Sequence, residues 1–382
     1  MKIVHLADLH LGYRAYNRLD ENGYNQREID VINAFRESLR KIVEIQPDLI
    51  IIAGDVFHRP RPSNLTIYQT ISRLIAFRKK CSAPIIIVSG NHESVKAAES
   101  GNVLNILETV IPNVAVIDGT IKELEIKELD TFFAGIPYNA LPELKNRTIA
   151  PDKNFKNNIL CVHGSYDSVK CKELSKHGNG ELITSADINQ TEWDYVAFGH
   201  YHTFTELAPN AYYSGAIERT SSNIWQEADD KKGFIVYDFE TKECKHIGLD
   251  SPRKVVDIKR IDAKELTAAE IDRKIDEEIS KINDIENSII RVTIENIDPV
   301  AVRELDYKKI RELKKKAVHF RLNLIKRDFS AEKDKDGQPI GRTKGLFEYL
   351  DQELQEFELS QGLDKDKFNK LAKDYLLAVN DV

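Results

Sequence analysis

Short apolar runs and longer amphipathic stretches alternate through the first part of this chain. KIVHLA near the N-terminus is followed by a helical pattern from Glu28 to Glu44, then by LIIIAGD, a second helical pattern from Ser63 to Lys80, and APIIIVSGNH. This rhythm predicts an α/β sheet covered by helices. LIIIA and PIIIVS lack any polar alternation, as strands buried on both faces do. From about Asn113 the strand-like runs crowd together (NVAVID, TFFAGIP, NILCVHG, DYVAFGH, GFIVYDF), with fewer helices between them, and predict a second sheet packed on the first.

The pattern breaks at Asp250-Ser251-Pro252. Residues 1–250 therefore read as one domain and residues 251–329, with a β-α-β-α-β pattern, as a small α+β domain. Residues 330–344 are polar and turn-rich and read as a linker. Residues 345–382 carry two short amphipathic helices, one presenting Leu346, Phe347, Leu350, Leu354 and Phe357, the other Phe368, Leu371, Tyr375, Leu376 and Val379.

A length of 382 residues suits two or three domains, and 41% hydrophobic with 31% charged residues excludes a disordered chain. No apolar run approaches the roughly 20 residues that cross a bilayer, so a cytoplasmic protein with no membrane contact is expected. Cys81, Cys161, Cys171 and Cys244 form no CxxC pair and read as free thiols. The net charge of −7 excludes a uniformly basic coat but not a local basic surface.

The chemistry lies in five motifs, each placed just after an apolar run: Asp8-Leu9-His10, Gly54-Asp55-Val56-Phe57-His58, Gly90-Asn91-His92-Glu93, His163-Gly164 and Gly199-His200-Tyr201-His202. Ligands of open α/β sheets gather at the carboxyl ends of strands, so these five ends can converge. Taken singly, each motif has an ordinary explanation: a capping Asp, a Gly-Asp or Gly-Asn turn, a hydrogen-bonded core histidine. Together they take six of the ten histidines, which ordinary turn chemistry does not explain. Mixed imidazole and carboxylate donors without thiolate favour Mn, Fe, Zn, Ni or Co. Asp8, His10, Asp55, Asn91, His163, His200 and His202 are too many donors for one tetrahedral ion and suit two ions sharing a carboxylate, with Asp55 as the natural bridge. The glycines before Asp55, Asn91 and His200 are expected to let the backbone turn sharply there.

The order D-x-H, G-D, G-N-H-E, H-G and G-H-x-H resembles the calcineurin-like metallophosphoesterase superfamily over roughly residues 1–250. MKIVHLADLHLG, His58 within GDVFHRPRPSN, and the added small domain and tail narrow the resemblance to archaeal and bacterial double-strand-break repair nucleases of the SbcD (meiotic-recombination) type. The resemblance implies a four-layer α-β-β-α nuclease domain with two Mn ions per subunit and a DNA-binding capping domain. One ion would be held by Asp8, His10, Asp55 and His202, the other by Asp55, Asn91, His163 and His200. It further implies a homodimer, 3′ to 5′ double-strand exonuclease and single-strand endonuclease activity, and an SMC-like coiled-coil ATPase gripped by the helical tail. Another enzyme of the superfamily, a phosphatase or cyclic phosphodiesterase, is the competing expectation.

Two ions roughly 3.5 to 4 Å apart clamp a phosphodiester. His92, beside a ligand, is placed to protonate the leaving oxygen, and His58 to orient His92 or the phosphate. For DNA, one loop offers Tyr13, Arg14, Tyr16, Arg18 and Arg27, and a second offers Arg59, Arg61, Ser63 and Asn64. Arginines and hydroxyls hold phosphates and tyrosines stack on bases, though solvated surface loops would read the same. Leu65, Ile71 and Leu104 are apolar positions for either a dimer face or a core.

Overall fold

The computed structural model describes residues 1–94, 101–168, 171, 182–326, 354, 365 and 367–372. The 330–344 linker and the tail positions Leu346, Phe347, Leu350, Phe357, Tyr375, Leu376 and Val379 lie outside the described residues. Contacts divide the chain into two units, one of Met1–Ile258, Ser280–Val292 and Tyr307–Arg321, the other of Lys259–Ile279, Thr293–Asp306 and Leu322–Val382.

The first unit holds two six-stranded sheets. The strands are β1 (Lys2–Leu6), β2 (Leu49–Ala53), β3 (Ile85–Val88), β4 (Val114–Ile117), β5 (Lys122–Ile126), β6 (Thr131–Ile136), β7 (Asn157–His163), β8 (Ser165–Tyr166), β9 (Leu182–Ile183), β10 (Tyr195–Gly199), β11 (Thr205–Ala208), β12 (Ala211–Tyr213), β13 (Gly233–Asp238) and β14 (Glu243–Gly248). The first sheet runs β14-β13-β1-β2-β3-β4 and the second β11-β12-β10-β7-β6-β5, while β8 pairs with β9 alone. β1 to β4 are mutually parallel, and so are β6, β7, β10 and β12. NVAVID and GFIVYDF, expected in the second sheet, are β4 and β13 of the first. GFIVYDF pairs antiparallel with β1, Ile3 opposite Tyr237. Closeness in sequence misled there, because β13 crosses back to cover the free edge of β1.

Period-two alternation builds three apolar layers. Val4, Leu6, Ile50, Ile52, Ile85 and Ile87 face the helices, whereas Ile3, Leu49, Ile51, Ile86 and Val88 meet Phe133, Ile159, Cys161, Tyr195 and Ala197 between the sheets. On the far side, Phe132, Leu160, Val162 and Phe198 pack under Ala140, Leu141, Ile188 and Trp193. The helices over the first sheet are α1 (Gln26–Ile45), α2 (Asn64–Arg78) and α3 (Leu104–Val110), and a single turn, α4 (Ser185–Ile188), lies in the second half. α1 buries Val31, Ala34, Phe35, Ser38 and Ile42, the spacing of one helical face. Each such large apolar side chain contributes roughly 1.5–3 kcal/mol on burial. Asn25 caps α1 by accepting from the Arg27 amide, and Ser63 caps α2 by accepting from that of Thr66. Leu104 is fully buried in this core, so it has no surface to offer a partner.

Further along lie β15 (Lys254–Asp262), α5 (Ala268–Ser280), β16 (Ser288–Ile297), α6 (Pro299–Glu304), α7 (Tyr307–Lys316) and β17 (His319–Lys326), with the strands in the order β15-β16-β17. In the second unit Ile271, Ile275 and Ile279 form the buried face of α5, and the Asp306 amide donates to Asp272. Among the described residues no helix is long and apolar enough to cross a membrane.

Candidate metal centre

All five motifs sit at the carboxyl ends of strands, after β1, β2 and β3 in one sheet and at the ends of β7 and β10 in the other. The loops after β1 and β2 are joined by backbone bonds: Asp8 N–H to Gly54 O (3.0 Å), His10 N–H to Asp55 O (2.9 Å), Leu11 N–H to Val56 O (2.9 Å) and His58 N–H to Leu11 O (3.0 Å). Asp8, His10, Asp55 and His200 all have positive φ, at 52°, 46°, 52° and 114°. Such conformations cost roughly 1–3 kcal/mol each in non-glycine residues and gather where side chains must be aimed. Of the three glycines preceding ligands, only Gly54 is left-handed, at φ 89°. Gly199 serves close approach instead, since a Cβ there would lie 1.7 Å from the Ala53 carbonyl oxygen.

The donors fall into two groups that share Asp55. In one, Asn91 Oδ1 lies 3.0 Å from His163 Nε2 and 3.1 Å from His200 Nδ1, and His163 Nε2 lies 3.5 Å from Asp55 Oδ2. In the other, His10 Nε2 lies 3.0 Å from His202 Nε2 and 3.8 Å from Asp55 Oδ2, and donor atoms of Asp8, His10 and His202 lie within 4.8 Å of one another. Asp8 accepts the His200 amide at 3.0 Å, and Asp55 Oδ1 accepts the His92 amide at 2.9 Å, which leaves Asp55 Oδ2 turned to the imidazoles. His163 donates from Nδ1 to the Ala53 carbonyl at 2.8 Å, which points its Nε2 at the centre.

The electrostatics call for positive charge. Burial alone would raise the Asp55 carboxyl, but His163, His10 and His92 outweigh it and hold it well below the usual carboxylate range. Burial would lower His163, yet Asp55 and Asp8 lift it to about 9. Burial holds His58 and His200 down at about 4, helped by His92 in the first case and His163 in the second, and lowers His10 well below its usual value. His10, His58 and His200 are thus neutral and keep a lone pair, while the proton drawn to His163 by Asp55 and Asp8 marks where a cation is favoured; imidazoles and carboxylates at this range are a donor set that fits divalent metal ions.

His92 and His58 stand at the rim. His92 donates from Nδ1 to the His58 carbonyl at 2.7 Å, and its Nε2 lies 4.0 Å from Asp55 Oδ2. Position 58 therefore orients His92 through its backbone, while the His58 ring lies against His10, Nδ1 to Nδ1 at 3.4 Å, and Tyr13.

The motifs alone did not reveal a supporting shell of carboxylates. Glu93 is fully buried and accepts the amides of Phe57 (2.7 Å), Gly90 (2.9 Å) and Asp55 (3.1 Å), fastening the β2 and β3 loops together. Burial and Asp55 push it up to about 8 against those donors. It stands in the Gly90-Asn91-His92-Glu93 motif, which was its only signal. Glu227 lies 3.5 Å from His202 Nδ1 and 2.5 Å from the buried Lys232, which also donates to the His202 carbonyl. Glu227 therefore sets negative charge beside His202 Nδ1, which has no hydrogen-bond partner among the described residues. No spacing in the sequence marks Glu227.

The residues expected at DNA are dispersed. Arg14, Arg59, Arg61 and Ser63 line a separate cavity of about 210 Å³. Arg14 pairs with Glu28 at 2.7 Å, Arg18 donates to the Lys315 carbonyl, and Asn64 is exposed. Tyr13 and Tyr16 line the cavity at the centre itself. Arg27 departs from expectation: it is 1% exposed, tied to Asp30, Glu218 and the Arg219 carbonyl, because it lies in the first turn of α1 instead of ending the loop. It has no surface to give to DNA. Of the tail positions described, Leu354 is buried, Phe368 half-buried and Leu371 exposed.

This centre, set between two sheets at the ends of their parallel strands, is that of a metal-dependent phosphoesterase. The calcineurin-like phosphoesterase family matches residues 1–206, and the chain belongs to that family. Within it the chain is similar to "DNA double-strand break repair protein Mre11" of Methanococcus maripaludis, 29% identical over 68% of this chain and 70% of that protein. The protein of the same name from Archaeoglobus fulgidus is 28% identical over 81% of this chain and 74% of its own. A component of the nuclease SbcCD of Staphylococcus epidermidis is 27% identical over 64% of this chain and 67% of its own.

Proposed function

We propose that the chain is a Mn-dependent DNA nuclease that processes double-strand breaks in the cytoplasm, with 3′ to 5′ double-strand exonuclease and single-strand endonuclease activity. Its partners would be DNA, a second copy of itself and an SMC-like coiled-coil ATPase bound by residues 345–382, and residues 251–329 would form the DNA-binding cap. The observation that carries this reading is the pair of donor groups sharing Asp55, with the His92 ring at their rim; similarity to double-strand-break repair proteins and a nuclease subunit supports DNA as the substrate. One ion would be held by Asp8, His10, Asp55 and His202, the other by Asp55, Asn91, His163 and His200. Divalent cations held by these residues would supply a lowered pKa for a bound water and positive charge to a phosphodiester. His92, its Nδ1 proton committed to the His58 carbonyl, keeps Nε2 for a proton given to the leaving sugar oxygen. Glu93 and Glu227 hold the loops and the His202 ring in place.

The test is cleavage of end-labelled duplex and hairpin DNA with Mn or Mg, with and without the partner ATPase. Shortening from the 3′ end with Mn, absent in Asp55→Asn, is expected. Turnover of p-nitrophenyl phosphate with intact DNA would instead make the chain a phosphatase, and binding without new ends would remove the nuclease reading.

A further inference from the structure

The cavity at the metal centre, about 530 Å³, extends well past the ligands, within the first unit. Its far wall is formed by Tyr16, Thr220, Ser221, Trp225, His319 and Arg321. That size lies in the range of roughly 300–1,000 Å³ typical of small-molecule sites.

Three features of this wall are unexplained by metal binding. Tyr16 and His319 stack face to face, with centroids 4.0 Å apart and planes 14° apart. Tyr16 is held for this at φ 58°, its carbonyl and that of Ala15 accepting from Asn25 Nδ2 at 2.9 and 3.3 Å. A tyrosine in the left-handed region is strained, and such strain persists where a side chain must be aimed. Secondly, the buried hydroxyls of Thr220, 4% exposed, and Ser221 have no hydrogen-bond partner among the described residues. Buried hydroxyls in native folds nearly always have one, so this pair on a cavity wall is available to the oxygens of a ligand. Thirdly, the Trp225 side of the wall is braced from behind. Arg291 lies 4.8 Å over the Trp225 ring and is itself fixed by two bonds to Asp257, at 2.6 and 2.8 Å.

We propose that this wall is a subsite for one unpaired nucleotide of the substrate, adjoining the scissile phosphate: the Tyr16–His319 stack takes the face of the base, and Thr220, Ser221 and Arg321 take sugar and phosphate oxygens. Flat rings accept any base by stacking, while hydroxyls and a guanidinium are the usual partners of the nucleic-acid backbone. The inference rests on the phosphodiesterase reading and adds a substrate-specificity determinant to it.

Two esters with the same leaving group test it with Mn: thymidine 5′-(p-nitrophenyl phosphate) and methyl p-nitrophenyl phosphate. The ratio of their kcat/KM values reads the subsite, and the methyl ester is the internal reference in each variant. Wild type is expected to favour the thymidine ester by about tenfold or more. His319→Leu should bring the ratio close to one, His319→Phe should keep it, and the isosteric Thr220→Val should lower it severalfold through KM. Equal use of both esters by wild type, or an unchanged ratio in both His319→Leu and Thr220→Val, overturns the subsite while leaving the phosphodiesterase intact. Hydrolysis of neither ester by wild type removes the phosphodiesterase reading and the subsite with it.

Discussion

The Nδ1 of His92 donates to the carbonyl oxygen of His58 across 2.7 Å. The contact uses the backbone of residue 58, so the two histidines separate under mutation. His92→Asn should leave Mn binding near wild type and lower kcat by about 10²–10⁴, the usual worth of a general acid. His58→Ala keeps the carbonyl and should cost less in kcat than His92→Asn. Single-turnover cleavage paired with Mn titration checks both; a normal rate in His92→Asn removes its acid role.

Glu227→Gln removes the charge behind His202 while keeping its size. A lost partner of this kind lowers metal affinity by about 10–100-fold. Competition for Mn against a fluorescent chelator reads this directly, and Glu227→Asp should recover part of the loss. Unchanged affinity in Glu227→Gln would mean that the Glu227–Lys232 pair serves only the fold.

Gly199→Ala places a methyl 1.7 Å from the Ala53 carbonyl oxygen, where β10 and β2 meet. Neither backbone can move without displacing His200 and Asp55, so a loss of about 3 kcal/mol or more is expected. Gly248→Ala, with nothing within 4 Å of the new carbon, is the matched control and should change stability little. Urea unfolding of both variants decides.

His5 supplies a pH dependence independent of the ligands. It lies between the sheets with Nδ1 3.0 Å from the Tyr195 hydroxyl, and burial lowers its imidazole to about 3. Below its ordinary value of 6.5 the unfolded chain takes up a proton that the folded chain refuses down to about 3. Stability attributable to this residue is therefore complete above that window and falls with pH through it, by up to about 1.4 kcal/mol per unit. Urea midpoints in metal-free buffer at neutral and mildly acidic pH should fall less in His5→Gln than in wild type. Equal slopes would show that His5 does not carry the acid sensitivity.

The strands β1 to β3 and the gathering of the seven donor side chains at strand ends were legible because each depends on a local signal, an apolar run followed by Asp, Asn or His, whereas nothing within NVAVID places it in the first sheet as β4. What was not legible depends on distant pairing. GFIVYDF returns to β1 because that edge needs a partner, and nothing within those residues states it. Glu227 reaches His202 through a loop pinned by Arg219, which donates to the carbonyls of Glu227, Ala228 and Asp230. Arg27 reads as a loop cation until its buried acidic partners, one of them Glu218, are brought to it by the fold.

The return of β13 to β1 also orders events during synthesis. By the time His202 leaves the ribosome every donor of the centre has been made, yet β1 still shows one row of unpaired amides and carbonyls, because residues 233–238 are not yet available to cover it. An exposed edge of that kind recruits other strands. A nascent chain stalled between those two points would carry the donor residues on a sheet with an open edge, the kind of edge that favours aggregation.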